Sequence, residues 1–181
     1  GRSMRVVSAI LLGGLIAGAL DIVYAFVVYG PLSYGLSPER VLQSVAAGWI
    51  GREASSAGGW NTALLGLASH FLIALGMAAV YAFAAQSFKA LTRSALLFGV
   101  MYGLILYVAM NYVVVPLSAA ATGAFASSFA DASARLRDAF SAVRGGADAY
   151  PWMLWGTIFT HTMLVGVPIA LVTKRFAHHN A

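Results

Sequence analysis

The sequence predicts an all-α polytopic membrane protein. Its four transmembrane helices form two parallel two-helix repeats, with an amphipathic helix in each of the two outer loops. Three observations carry this expectation. Apolar residues make up 60% of the 181-residue chain and charged residues only 9%, against about a quarter in soluble domains. Four windows, at Val6–Tyr29, Trp60–Ala85, Leu96–Leu117 and Trp152–Thr173, exceed the roughly eighteen apolar residues that mark a membrane span. The two halves also repeat a pattern of glycine pair, proline stop, polar loop and histidine-bearing span. One integral membrane domain over residues 1–181 is expected, with repeats at about 6–86 and 95–175.

The first span begins after Arg2 and Arg5. It is too long for the apolar region of a signal peptide and carries Asp21 in its middle, so an uncleaved anchor is expected. Gly1-Arg2-Ser3 before Met4 reads as a scar of expression, and Arg2 is discounted from the charge balance. Within the span, Gly14 and Gly18 form a GxxxG pair, followed by Pro31. The third span repeats this with Gly99, Gly103 and Pro116 at matching distances. Such glycines let a neighbouring helix approach closely, and a proline cannot continue the hydrogen-bond ladder.

Each proline is followed by a polar loop with its own helix. In the first loop Ser37 is the expected N-cap with Pro38 at the first helical position. That helix should run to about Glu53 and break over Ser55–Gly59. In the second loop the spacing predicts a helix over Phe129–Val143 that stops at Gly145-Gly146. Both are expected on the outer membrane surface or capping the bundle. Trp60, Tyr150, Trp152 and Trp155 fall where an interfacial aromatic belt belongs, and Trp49 is placed to anchor the first loop helix.

The net charge of +5 is distributed by side. Arg2, Arg5, Lys89, Arg93, Lys174 and Arg175 lie at one set of helix ends with no acidic residue among them. In the long loops Arg40, Arg52, Arg135, Arg137 and Arg144 are balanced by Glu39, Glu53, Asp131, Asp138 and Asp148. The positive-inside rule then puts both termini in the cytoplasm and both long loops outside. No stripe of alternating basic and aromatic residues suggests nucleic acid. The absence of cysteine excludes disulfides, thiolate metal sites and thiol catalysis.

Few polar residues fall within the spans. Asp21 shares a helix face with Gly14, Gly18 and Ala25, so it should point into the bundle. An ionised carboxylate at mid-span costs about 2.5–3.5 kcal/mol on insertion scales. It is expected either to serve as a proton or cation site or to be bonded to a neighbouring helix. His70 and His161 sit at similar depth in the second and fourth spans.

Four readings of the histidines stay open: neutral side chains bonded across the bundle, a bis-histidine haem b, a metal site and a proton relay. A haem would use the space at Gly66, although no arginine or lysine lies close by in the spans to hold its propionates. Iron or zinc would use His70, His161 and Asp21. Asn111 and Tyr107, one turn apart on the third span, are placed to hydrogen-bond Asp21 or His70, or to serve as structural glue. No GxSxG, HExxH, P-loop or dinucleotide fingerprint occurs in usable context, so the sequence points away from an enzyme.

The arrangement resembles the YagU-like family of small bacterial inner-membrane proteins. The likeness rests on Gly14–Gly18, on His70 followed by Tyr81, on Pro116-Leu117, and on His161 running into Lys174-Arg175. It implies a helical protein of the bacterial cytoplasmic membrane and carries no established reaction. The functional expectation is an ion, proton or small ligand handled at Asp21, His70, Asn111 and His161. A different class of role is an accessory subunit of a larger membrane complex, and the glycine-rich faces also suit a homo-oligomer.

Overall fold

The computed structural model of the chain describes residues 5–142 and 149–178. All regular structure among them is helical. Val143, the expected stop at Gly145-Gly146, and the charged residues Arg2, Arg144 and Asp148 lie outside the described residues.

The elements are α1 (Val6–Tyr29), α2 (Pro38–Ile50), α3 (Arg52–Ala57), α4 (Gly59–Ser87) and α5 (Ala90–Arg93). There follow α6 (Ala95–Leu117), α7 (Ala119–Thr122), α8 (Phe129–Ser141) and α9 (Met153–Ala177). Helices α1, α4, α6 and α9, of 23 to 29 residues, are long and apolar enough to cross a membrane, which takes about 20 residues at 1.5 Å each. Helix α9 runs past the expected end at Thr173. Lys174 and Arg175 mark the edge of the apolar stretch, and nothing in them interrupts the backbone ladder.

Helices α6 and α9 each contain a π turn, Met110–Val114 and Thr160–Gly166. Each lies just before a proline, Pro116 or Pro168. A proline lacks the N–H that its preceding turn needs, and a wider turn absorbs the mismatch. Helix α6 then stops at Leu117, whereas α9 continues through Pro168.

The chain divides into two compact units, and each draws on both sequence halves. The first comprises Gly1–Tyr24, His70–Leu106 and Gly156–Ala181. Its helices meet through the glycine pairs. A methyl added at Gly14 would lie 2.8 Å from the Leu75 Cα, and one at Gly18 would lie 2.7 Å from the Phe71 ring. Likewise, a methyl at Gly99 would lie 2.9 Å from the Val167 Cα, and one at Gly103 would strike the His161 carbonyl. Gly166 answers from α9, its own added methyl falling 2.9 Å from the Gly103 Cα. All four paired glycines therefore serve contacts within the chain. Around them Ala17, Ala78, Tyr81, Leu106, Val165 and Ile169 form the buried apolar cluster. The Tyr102 hydroxyl donates to the Met77 carbonyl at 2.7 Å, tying α6 to α4.

The second unit comprises Ala25–Ser69 and Tyr107–Trp155. Ser37 caps α2 by accepting from the Arg40 N–H at 3.2 Å, with Pro38 in the first turn. The expected continuation of α2 to Glu53 is corrected: it ends at Ile50, and Gly51 takes φ +87°. That left-handed value suits glycine alone, and a methyl there would lie 3.1 Å from the Gly123 Cα. The chain then turns into α3, which ends at Ala57 inside the expected Ser55–Gly59 break, so Gly51 adds a break ahead of that one. Helix α2 buries Val41, Leu42, Ala46 and Ala47, and its Leu42 carbonyl fills the space beside Gly66 of α4. The Trp49 indole N–H donates to Ser69 Oγ at 2.8 Å and its ring meets Phe125 edge-on.

The second long connection is gathered by Arg135. Its guanidinium donates to Asp131 (3.1 Å), to the Ala124 carbonyl (3.0 Å) and to the Thr122 hydroxyl (2.9 Å). Longer bonds reach the Ser118 and Pro116 carbonyls at 3.3 and 3.4 Å. Asp131 is held below the usual carboxylate range, first by the Ser127 backbone N–H and then by Arg135. A carboxylate lowered by folding contributes stability above its unfolded value and loses it as pH falls through its folded value. Acidifying below about pH 3.9 should therefore speed amide exchange in the first turn of α8. In Asp131→Asn that turn should exchange fast at every pH, with the acid step gone.

Candidate functional site

Within the first unit, three helices bring Asp21, His70 and Thr160 together. Thr160, only 3% exposed, donates its hydroxyl to Asp21 Oδ1 at 2.6 Å. That length belongs to hydroxyl–carboxylate bonds. The His70 Nε2 lies 2.8 Å from the Gly18 carbonyl and 3.9 Å from Asp21 Oδ2. A carbonyl oxygen only accepts, so Nε2 carries a proton. The His70 and Asp21 side chains are 14% and 30% exposed. The cluster thus combines an inner, enclosed imidazole with a more open carboxylate.

Local sequence explains the placement. Gly18 lacks a side chain, so the Phe71 ring seats against α1 and the adjacent His70 reaches the Gly18 carbonyl. Asp21, three residues further along α1, then falls beside the same imidazole. Thr160 opens the π turn of α9, and such turns recur at functional sites. Asp21 is the sole acidic residue of the first unit. The three side chains and the Gly18 carbonyl offer a carboxylate, a hydroxyl, a main-chain oxygen and a titratable ring. They can hold a proton, pass it between carboxylate and imidazole, or offer oxygens to a small cation.

The other sequence-predicted residues are placed differently. His161 turns its Nδ1 to the Thr157 carbonyl of its own helix at 2.7 Å. Asn111 belongs to the second unit, where its amide donates to the Tyr107 carbonyl at 3.0 Å, one turn back on α6. Among the described residues no three His, Asp or Glu are grouped to hold a metal ion, so Asp21, His70 and His161 do not form the three-ligand set expected for iron or zinc. The room expected for a porphyrin at Gly66 is taken up by the backbone of α2, whose Leu42 carbonyl would collide with even a methyl there. Thr160 was not singled out by sequence reasoning. Its signal was the polar run Thr160-His161-Thr162 ahead of Pro168, where attention falls on the histidine between.

No family model matches the chain, and neither do any curated protein or solved structure.

Proposed function

We propose that this chain is a multi-pass protein of the bacterial cytoplasmic membrane that handles a proton or small cation at Asp21, His70 and Thr160. The observation that carries the proposal is the 2.6 Å bond from Thr160 to a carboxylate that also lies 3.9 Å from an imidazole. All three belong to helices long and apolar enough to cross a membrane. Ionisable residues in such a setting are costly, and they mark ion pathways and proton relays. Asp21 is the proton or cation acceptor, His70 its titratable neighbour, and Thr160 the group that orients the carboxylate. Both termini are cytoplasmic, as the one-sided placement of Arg5, Lys89, Arg93, Lys174 and Arg175 supports. Exposed Trp60, Trp152 and Trp155 fit an interfacial belt at the opposite ends of the spans. The matching contacts of Gly14 and Gly18 with α4, and of Gly99 and Gly103 with α9, favour two repeats of one helix pair. An inner-membrane setting agrees with the likeness to YagU-like proteins.

Histidine-selective ¹⁵N NMR in detergent micelles tests the site. The His70 signal should report a ring protonated at Nε2, 2.8 Å from the Gly18 carbonyl, and its chemical shift should change in Asp21→Asn, which removes the carboxylate 3.9 Å away. The His161 signal should stay unchanged. Equal responses of the two rings to Asp21→Asn would remove the basis of the assignment.

A further inference from the structure

The basic end of the first unit presents charges that no described residue neutralises. Arg5, Lys89, Arg93, Lys174 and Arg175 belong to this unit, and its one acidic residue is Asp21, which is engaged by Thr160. Among the described residues none of the five makes an ion pair. The contrast with the long connections is sharp, since Arg135 there is bound to Asp131 and Arg52 to the Ala120 carbonyl. A side chain needed for folding would be expected to find a partner of that kind.

The cluster is also held in place. Helix α5 packs against the last segment of α9, so Lys89 and Arg93 share a surface with Lys174 and Arg175. The Tyr81 hydroxyl donates to the Leu91 carbonyl at 2.6 Å, and Thr92 is buried. Lys89 and Arg93 lie one helical turn apart, with the Arg93 N–H donating to the Lys89 carbonyl at 2.9 Å. The Arg5 guanidinium lies 5.2 Å over the Phe176 ring. Large apolar side chains flank the charges in sequence: Phe88, next to Lys89, is 66% exposed, and Leu96 and Leu97, three and four residues after Arg93, are exposed too. A fixed group of unpaired cations bordered by open apolar surface matches one ligand chemistry, a phosphate head joined to acyl chains.

We propose that this end binds an anionic phospholipid, its headgroup between Lys89, Arg93, Lys174 and Arg175 and its chains along Phe88, Leu96 and Leu97. The inference rests on the membrane reading above. Native mass spectrometry of the full chain in detergent doped with phosphatidylglycerol or phosphatidylcholine tests it. Wild type should retain phosphatidylglycerol at least tenfold over phosphatidylcholine. Removing each charge should lower that retention about fivefold. Lys89→Gln/Arg93→Gln/Lys174→Gln/Arg175→Gln should erase the preference, while Arg52→Gln, in the second unit, should leave it intact. Equal retention of the two lipids would overturn the proposal, as would a preference that survives the quadruple change. So would displacement of bound lipid by millimolar inorganic phosphate, which would mark a site for the free anion. Co-flotation with pure phosphatidylcholine vesicles reads the membrane assignment separately: a protein that inserts there without lipid preference loses this inference alone.

Discussion

Thr160→Val should destabilise the protein by about 1–2 kcal/mol in wild type and by much less when Asp21 is already asparagine. The Thr160 hydroxyl donates to Asp21 Oδ1 at 2.6 Å. Valine keeps the shape and leaves that carboxylate oxygen without its donor. Hydrogen bonds between membrane helices average about 0.6 kcal/mol and reach roughly 1.7. Bonds to charged groups lie near the upper end, at about 1.5–3 kcal/mol. A double-mutant cycle over Thr160→Val and Asp21→Asn, read from unfolding midpoints in mixed detergent, isolates the pair. Coupling of about 1 kcal/mol or more is expected. Coupling below about 0.3 kcal/mol would mean that the threonine and the aspartate do not act as a unit.

Gly103→Val should have the largest effect on stability of any single change at the glycine pairs. A Cβ at that position would strike the His161 carbonyl and lie 2.5 Å from the Thr162 Cα. These are backbone atoms that cannot turn aside. Overpacking costs about 1–3 kcal/mol where side chains can adjust, so a loss of at least about 3 kcal/mol is expected here. Because the displaced atoms belong to the π turn that carries Thr160, the Thr160–Asp21 bond should be lost with them. Gly76→Ala is the control, since a methyl at Gly76 meets nothing within 4 Å. It should be neutral or stabilising by up to about 1 kcal/mol, through the better helix propensity of alanine. Thermal unfolding of the two variants in the same detergent compares them directly.

The four long helices were legible because apolar run length is a one-dimensional signal. The expected ends at Val6, Tyr29 and Leu117 coincide with the observed ones. The glycine pairs were legible too, since small residues at a spacing of four imply a close neighbour on that face. Which neighbour was not: the pairing of Gly18 with Phe71 and of Gly103 with His161 depends on how distant segments meet. The same limit hid the site. Asp21 and His70 stood out as polar residues in apolar runs, whereas Thr160 is unremarkable in a helix and gains its role from a carboxylate 139 residues away. Gly66 shows the opposite error. A small residue near a histidine suggested a cavity, and the structure uses it to admit the backbone of α2. Arg135 was read from its charge alone, and its bonds to the Pro116, Ser118 and Ala124 carbonyls follow from a loop conformation that no local pattern encodes.

The central claim is that Asp21 and His70 handle a proton or small cation, and flux across a bilayer tests it most directly. Purified protein in sealed vesicles would be given an imposed proton gradient, read by an enclosed pH-sensitive dye, and, separately, a sodium gradient, read by an enclosed sodium-sensitive dye. Wild type should dissipate one of the two gradients faster than empty vesicles. Asp21→Asn, with an unfolding midpoint shown to be near that of wild type, should lower that rate at least tenfold. Equal rates for wild type, Asp21→Asn and empty vesicles under both gradients would contradict the account. They would leave the cluster as a bond that holds three helices together.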